Sequence, residues 1–195
     1  MVAKTIYTIG HSTHSMEKFI GLLKTNGIEI IVDTRSSPYS RYAEHFNRQT
    51  MQSALEEVGI RYQFMGQGMG GRPQGTQFYD AEGYVLYSLI ADTVLFKSSV
   101  ETLLELAISH RIALVCGEED PTYCHRKLLI ARHLHDRDVS TVHIRGDGKW
   151  EVDQLPAPPP QMTLFEEPVP WRSAKPINTR NQTEVNNGNT NLPFD

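Results

Sequence analysis

Cysteine is scarce in this chain: Cys116 and Cys124 are the only two among 195 residues. That excludes the disulfide scaffold of a small secreted domain and fits a reducing compartment. Long apolar runs are also missing. Nothing approaches the roughly eighteen apolar residues of a membrane span, and the opening MVAKTIYTIGHS lacks the apolar core of a signal peptide. The expectation is a cytoplasmic protein with no membrane partner. A basic excess is absent as well. Residues 1–150 hold 16 Lys and Arg against 17 Asp and Glu, and the remainder holds 3 against 6. An autonomous nucleic-acid binder usually carries a global basic footprint, which this chain does not; local basic clusters stay open. Histidine is the exception to the scarcity, with all eight in the first 150 residues.

What is present has the alternation of an α/β domain. Three short apolar runs end in polar residues: Ile6–Ile9 before Gly10-His11-Ser12, Ile28–Val32 before Asp33-Thr34-Arg35, and Ile112–Val115 before Cys116-Gly117-Glu118. Continuous runs of this length suit strands buried on both faces of a parallel sheet. Between the first two, Phe19, Ile20, Leu22 and Leu23 recur at helical spacing, with Ser15 as N-cap and Asn26-Gly27 as the stop. Further helices are predicted over 48–58, 85–96, 100–110 and 125–136, and strands over 60–64 and 140–145, the last in the chain. The fold class is an open, mostly parallel sheet with helices on both faces, in one domain over 1–150. Strand order is not readable. From 151 to 195 the chain turns rich in Pro, Asn and Thr, with the run Pro156-Ala157-Pro158-Pro159-Pro160, and too few apolar side chains remain to offset ordering entropy. A disordered tail is expected, except around 161–171.

Ligands bind outside the carboxyl ends of strands in such sheets, so the three polar strand ends should meet. The segment Cys116 to Arg126, CGEEDPTYCHR, carries the most chemistry. It runs from a strand through an acidic loop to Cys124-His125-Arg126 at a helix start, where free N–H groups and the helix dipole favour an anion. Catalytic candidates are Glu118, Glu119, His11, His125 and Asp33, with one glutamate as acid or base if burial raises its pKa. Anion-binding candidates are Ser12, Arg35, Ser40, Arg41, Arg72, Cys124 and Arg126. Carboxylates at 118 and 119 argue against a thiolate at Cys116. The spacing of Cys116 to Cys124 and His125 matches none of the usual zinc patterns, so no metal is expected. The glycine-rich loop GQGMGGRP at 66–73 lacks the Lys-Ser/Thr of a P-loop, and no cofactor is expected.

The motifs TIGHS (8–12), VDTRSSPYS (32–40), MGQGMGGRP (65–73), LVCGEEDPTYCHR (114–126) and VHI (142–144) resemble, in order, the family catalogued as domain of unknown function 488. That resemblance spans nearly all of 5–150 and implies a fold more than a reaction. A fainter likeness connects Cys116 and Asp33-Thr34-Arg35 to rhodanese-type sulfurtransferases and cysteine phosphatases, which cradle an anion beside a strand-end cysteine. The phosphatase spacing of Cys and Arg is absent, since the sixth residue after Cys116 is Thr122. In the tail, Gln161-Met162-Thr163-Leu164-Phe165 resembles the bacterial sliding-clamp-binding pentapeptide, with Gln161, Leu164 and Phe165 as anchors; the alternative is that Leu164, Phe165 and Trp171 fold back on the domain. The combined expectation is a cofactor-independent hydrolytic or glycosyl-type enzyme acting on nucleic acid or a nucleotide-like anion in DNA maintenance, recruited by the clamp. The alternatives are a non-catalytic nucleotide-binding adaptor and a rhodanese-like or phosphatase-like cysteine enzyme.

Overall fold

The computed structural model describes residues 5–154 and 171–177. Its centre is a six-stranded sheet of order β3-β2-β4-β1-β5-β6. The strands are β1 Thr5–Gly10, β2 Ile30–Asp33, β3 Arg61–Phe64, β4 Ile112–Cys116, β5 Ser140–Ile144 and β6 Trp150–Val152. All neighbours are parallel except β5 and β6. The three runs singled out by apolarity are three of the four inner strands, β1, β2 and β4, buried almost throughout, whereas β3 alternates exposed and half-buried residues as an edge strand should.

Alternate side chains on each inner strand enter opposite cores. Ile6, Ile30, Val32, Ile112 and Leu114 join one cluster, while Ile9, Ile31, Ala113 and Val115 join the other. Each fully buried aliphatic side chain contributes about 1.5–3 kcal/mol, so both layers are held to the sheet independently. On the second face lie α1 (Met16–Thr25) and α2 (Arg48–Glu56). The first face carries α3 (Gly66–Met69), α4 (Tyr87–Asp92), α5 (Val94–Ser109), a π-helical turn Arg126–Ala131 and α6 (Arg132–His135).

Ser15 caps α1, its hydroxyl accepting from Lys18 N–H, and Gly27 at φ +62° ends it, as the sequence predicts. The helix expected over 85–96 is shorter and breaks earlier. Thr93 adopts extended backbone between α4 and α5, and its hydroxyl accepts from Phe96 N–H. A threonine offered two apolar helices caps the second instead of joining them. Thr93→Ala should lower stability by about 1 kcal/mol, read as a shift in the urea midpoint at unchanged slope. The helix expected over 125–136 begins as a wide π turn, a distortion that commonly marks functional sites. The segment 66–75, expected as a loop, contains the single helical turn α3.

The domain does not stop at residue 150. A strand follows β5, and β6 returns antiparallel to it. Farther on, residues 171–177 form a strap against the domain. Trp171 packs on the first-face core and its indole N–H donates to the Leu128 carbonyl. Ser173 N–H donates to Val85 C=O, and Val85 N–H donates to the Ser173 hydroxyl. Trp171 therefore folds back on the domain. The pentapeptide 161–165, with Gln161, Leu164 and Phe165, lies outside the described residues. Among the described residues no helix is long and apolar enough to cross a membrane.

Candidate active site

The three polar strand ends meet where adjacent parallel strands stop together. His11 N–H donates to Cys116 C=O, Ser12 N–H to Gly117 C=O, and Thr34 N–H to Val115 C=O. The β1 end and the loop after β4 approach so closely that a Cβ on Gly10 would sit 1.9 Å from the Glu118 carbonyl oxygen. Backbone on both sides leaves nowhere to retreat. Gly10→Ala should therefore displace the 117–119 loop and destabilise by about 1–3 kcal/mol; a thermal midpoint equal to the parent's would contradict this packing.

Beside that junction lies a cavity of about 630 Å³, whose wall includes His11, Arg35, Arg72, Cys116, Glu118, Cys124 and His125. Asp33 sits beneath it, fully buried, holding Arg35. Arg35 donates Nε and Nη2 to the Asp33 carboxylate, at 2.9 and 2.6 Å for the closest pairs, and Tyr62 O–H donates to the same carboxylate. A bidentate pair of this kind fixes the guanidinium plane and leaves Nη1 facing His11 Nε2 at 3.2 Å. His11 Nδ1 lies 2.9 Å from Ser12 C=O. A carbonyl only accepts, so Nδ1 carries the proton and Nε2 accepts from Arg35. Burial lowers the His11 pKa, with Arg35 adding to it against the Ser12 bond, which keeps the ring neutral.

His125 is assigned by the same logic. Its Nε2 is 3.1 Å from Thr34 C=O, which requires the proton there, so Nδ1 presents a lone pair. That lone pair faces two thiols: Cys116 Sγ at 3.6 Å and Cys124 Sγ at 3.7 Å. The hydrogen bond from Cys124, together with His125 and Arg126, outweighs burial and holds the Cys116 thiol well below its ordinary range. Burial and the neighbouring Cys116 sulfur push Cys124 up. The two sulfurs are thus driven apart in acidity, Cys116 the more acidic.

The acidic loop does not oppose this. Glu119 lies outside the cavity wall; its carboxylate accepts from Gly146 N–H and is paired with Arg145 at 2.8 Å. The Gly146 bond and Arg145 hold it below the usual carboxylate value despite burial, so it is ionised, neutralised and unsuited to acid–base work. Glu118 does line the cavity, but it is exposed and is the only carboxylate on a wall that also carries Arg35, Arg72 and Lys175. Glu118 stays open to solvent.

Arg126 is the largest correction. It was expected as an anion clamp, yet it is fully buried and absent from the cavity wall. Its guanidinium donates to the carbonyls of Glu118 and Glu119 at 2.6 and 2.8 Å and to the Thr8 hydroxyl at 3.2 Å. It thus ties the loop's carbonyls to the buried guanidinium. Thr8 Oγ1 is 2.7 Å from His143 Nδ1, and His143 Nε2 is 3.1 Å from Asp153. This buried relay anchors the loop to the far side of the sheet. Burial pushes the Asp153 carboxyl up, but bonds from His143 and Lys127 outweigh it and lower its pKa. Its stabilisation is complete above the unfolded-state value and is lost as pH falls through the folded one. Asp153→Asn should flatten the acid limb of a plot of urea midpoint against pH.

Of the other candidates, Ser40 lines the cavity, though its hydroxyl accepts from Tyr42 and Ala43 N–H. Arg41 is exposed and off the wall, and Ser12 contributes its carbonyl to His11 instead of a hydroxyl to the cavity. Reading by strand ends missed Tyr87, Gly71 and the strap, whose residues 173–177 form one side of the cavity and bring Lys175 to it. Trp171 and Ile177, isolated apolar residues in a polar stretch, were the available signal for the strap. Metal ligation has one place among the described residues: Cys116, Cys124 and His125 present ligand atoms within 4.8 Å of one another, a donor set that suits a thiophilic ion. Sequence spacing excluded it because the first donor comes from a strand end and the others from a helix start.

The family described as Domain of unknown function DUF488 matches residues 15–133. The chain belongs to this family. The match covers α1 through the π turn, including Asp33, Arg35, Arg72, Cys116, Cys124 and His125, whereas His11 and the strap fall outside it. No curated protein matches the chain.

Proposed function

We propose that this protein is a cysteine-dependent transferase that takes a sulfane sulfur from a small anionic donor, with Cys116 as nucleophile. The observation that carries the reading is His125, pinned by Thr34 so that Nδ1 faces Cys116 Sγ on the wall of the cavity. A Cys–His pair with the histidine oriented by a third group is the usual arrangement of an activated thiol. With Arg35 paired to Asp33, Arg72 and Lys175 still outnumber Glu118 on the wall and favour an anion. The donor's terminal sulfur is attacked by the Cys116 thiolate; the bond between that sulfur and the rest of the donor breaks, and the remainder departs with the electron pair. With thiosulfate the leaving group is sulfite, a stable anion that needs no proton. Phosphoester cleavage would expel an alkoxide and call for a general acid. Glu119 is tied to Arg145 and Asp33 to Arg35, which favours sulfur transfer over phosphoryl or glycosyl chemistry.

The test is sulfur transfer from thiosulfate to cyanide, alongside the pH profile of iodoacetamide alkylation resolved by peptide mass. Cys116 should alkylate well below the pH at which an ordinary thiol ionises, and Cys124 should lag behind it. Absence of transfer, with both cysteines alkylating as ordinary thiols, would remove the reading.

A nucleotide-like acceptor fits the cavity mouth, where Tyr39 and Tyr123 are 65% and 62% exposed and supply stacking faces. Tyr42 and Arg41 lie on the same exposed loop. Recruitment to DNA by a bacterial sliding clamp belongs with this reading and rests on Gln161, Leu164 and Phe165. A peptide covering 156–170 should bind clamp at about micromolar Kd, and Leu164→Ala with Phe165→Ala should abolish it. Equal titration curves for the two peptides would leave the tail without that role.

A further inference from the structure

We infer that Cys116 and Cys124 form a dithiol centre that reduces hydroperoxides, with Cys116 attacking and Cys124 resolving. The inference shares the nucleophile of the proposed function but gives Cys124 a covalent task of its own. The chain's only two cysteines, one from the end of β4 and one from the start of the π turn, reach the same cavity wall. Their sulfurs and His125 Nδ1 lie within 4.8 Å of one another. A disulfide needs the sulfurs at about 2.05 Å, so they must close by less than roughly 3 Å. Arg126 holds the Glu118 and Glu119 carbonyls, so the closure falls to the 120–124 end of the intervening segment. Its regular structure is a single 3-10 turn, Pro121–Tyr123, and Asp120 caps that turn by accepting from Thr122 N–H. Cys124 C=O accepts from both Lys127 and Leu128 N–H at the wide turn's start, so one bond can loosen while the other holds.

The chemistry closes without any bound group. The Cys116 thiolate attacks one peroxide oxygen, the O–O bond breaks, and the departing oxygen takes the pair and a proton, leaving as water or an alcohol. His125 Nδ1, 3.6 Å from Cys116 Sγ, is placed to take the proton that the thiol gives up and pass it to that oxygen. Cys116 is now a sulfenic acid. The Cys124 sulfur attacks it, the S–O bond breaks, the oxygen leaves with a proton as water, and the disulfide forms. Two thiols have supplied two electrons to one hydroperoxide. An external dithiol returns the pair to the reduced state by exchange. The second cysteine spares Cys116 from further oxidation, since a sulfenic acid left unresolved proceeds to sulfinic acid. Oxidation also removes the nucleophile, so a disulfide-bonded protein should transfer no sulfur until reduced.

The reduced full-length protein, treated with one equivalent of hydrogen peroxide, should lose two hydrogens by intact mass. It should lose both titratable thiols, form no disulfide between chains, and recover with dithiothreitol. Cys124→Ser should instead hold a sulfenic acid at Cys116 that dimedone traps, and Cys116→Ser should stay unoxidised over the same interval. The parent's mass and thiol count need no variant, so a misfolded substitution does not cloud the result. Oxygen adducts on the parent without loss of hydrogens, or disulfide-linked dimers, would overturn the centre. So would a Cys116→Ser protein oxidised as fast as the parent. A protein that forms the disulfide yet moves no sulfur from thiosulfate keeps this centre and discards sulfur transfer; the reverse pattern discards the centre alone.

Discussion

Arg126→Ala should destabilise the protein by about 3–5 kcal/mol, through loss of the donor that the loop carbonyls share and through a side-chain-sized void. Arg126 is fully buried. Its removal would leave the Glu118 and Glu119 carbonyls and the Thr8 hydroxyl without the guanidinium that now bridges them. The loop following β4 would then lose the contact that holds its carbonyls, and Cys116 would lose a nearby cation. Urea denaturation at neutral pH reads the first effect, and the alkylation rate of Cys116 in the residual folded fraction reads the second. A variant as stable as the parent but deficient in anion binding would return Arg126 to the role that sequence position alone assigned it.

Cys116→Ser should reduce sulfur transfer by at least about a thousandfold, the scale on which a covalent nucleophile is missed when its oxygen analogue replaces it. A serine hydroxyl ionises far above neutrality and lacks the polarisable sulfur suited to a sulfane donor. The thiol hydrogen bond from Cys124 and the Nδ1 of His125, 3.6 Å from Sγ, suit a polarisable thiolate. Because a Cys→Ser change is nearly isosteric, the thermal midpoint should stay within about 1–2 kcal/mol equivalent of the parent. Loss of activity with retained stability is the informative combination. Activity retained in Cys116→Ser and lost in Cys124→Ser would exchange the two sulfurs' roles.

Much of this architecture is written locally. The runs ending at Ile9, Val32 and Val115 could be recognised as inner strands because a strand buried on both faces is mostly apolar on both, without the polar alternation of an edge. The α1 limits followed from Ser15 and Gly27, whose capping chemistry acts over one turn. Convergence of His11, Arg35 and Cys116 followed from parallel strands alone: strands that run together end together. The Asp33–Arg35 pair is local too, two residues apart on one chain.

Other assignments depended on distance in space. Arg126 sits two residues after Cys124 in the sequence, yet its side chain passes under the loop to Thr8, 118 residues away; no local pattern distinguishes a guanidinium facing a ligand from one holding carbonyls. The pKa logic of Cys116 inverted for the same reason. In the sequence its nearest charges are Glu118 and Glu119, but in space Glu119 is neutralised by Arg145 and the sulfur meets Cys124 and His125. Lys175 reached the cavity only because Ser173 and Ile177 hydrogen-bond to Val85 and Gly83. Sequence by itself determined the strands, the caps and the edge at which polar residues gather, because burial periodicity and capping operate between near neighbours. Tertiary structure decided which of those residues touch the cavity and which sulfur is the more acidic, because electrostatics depends on distances that chain order does not encode.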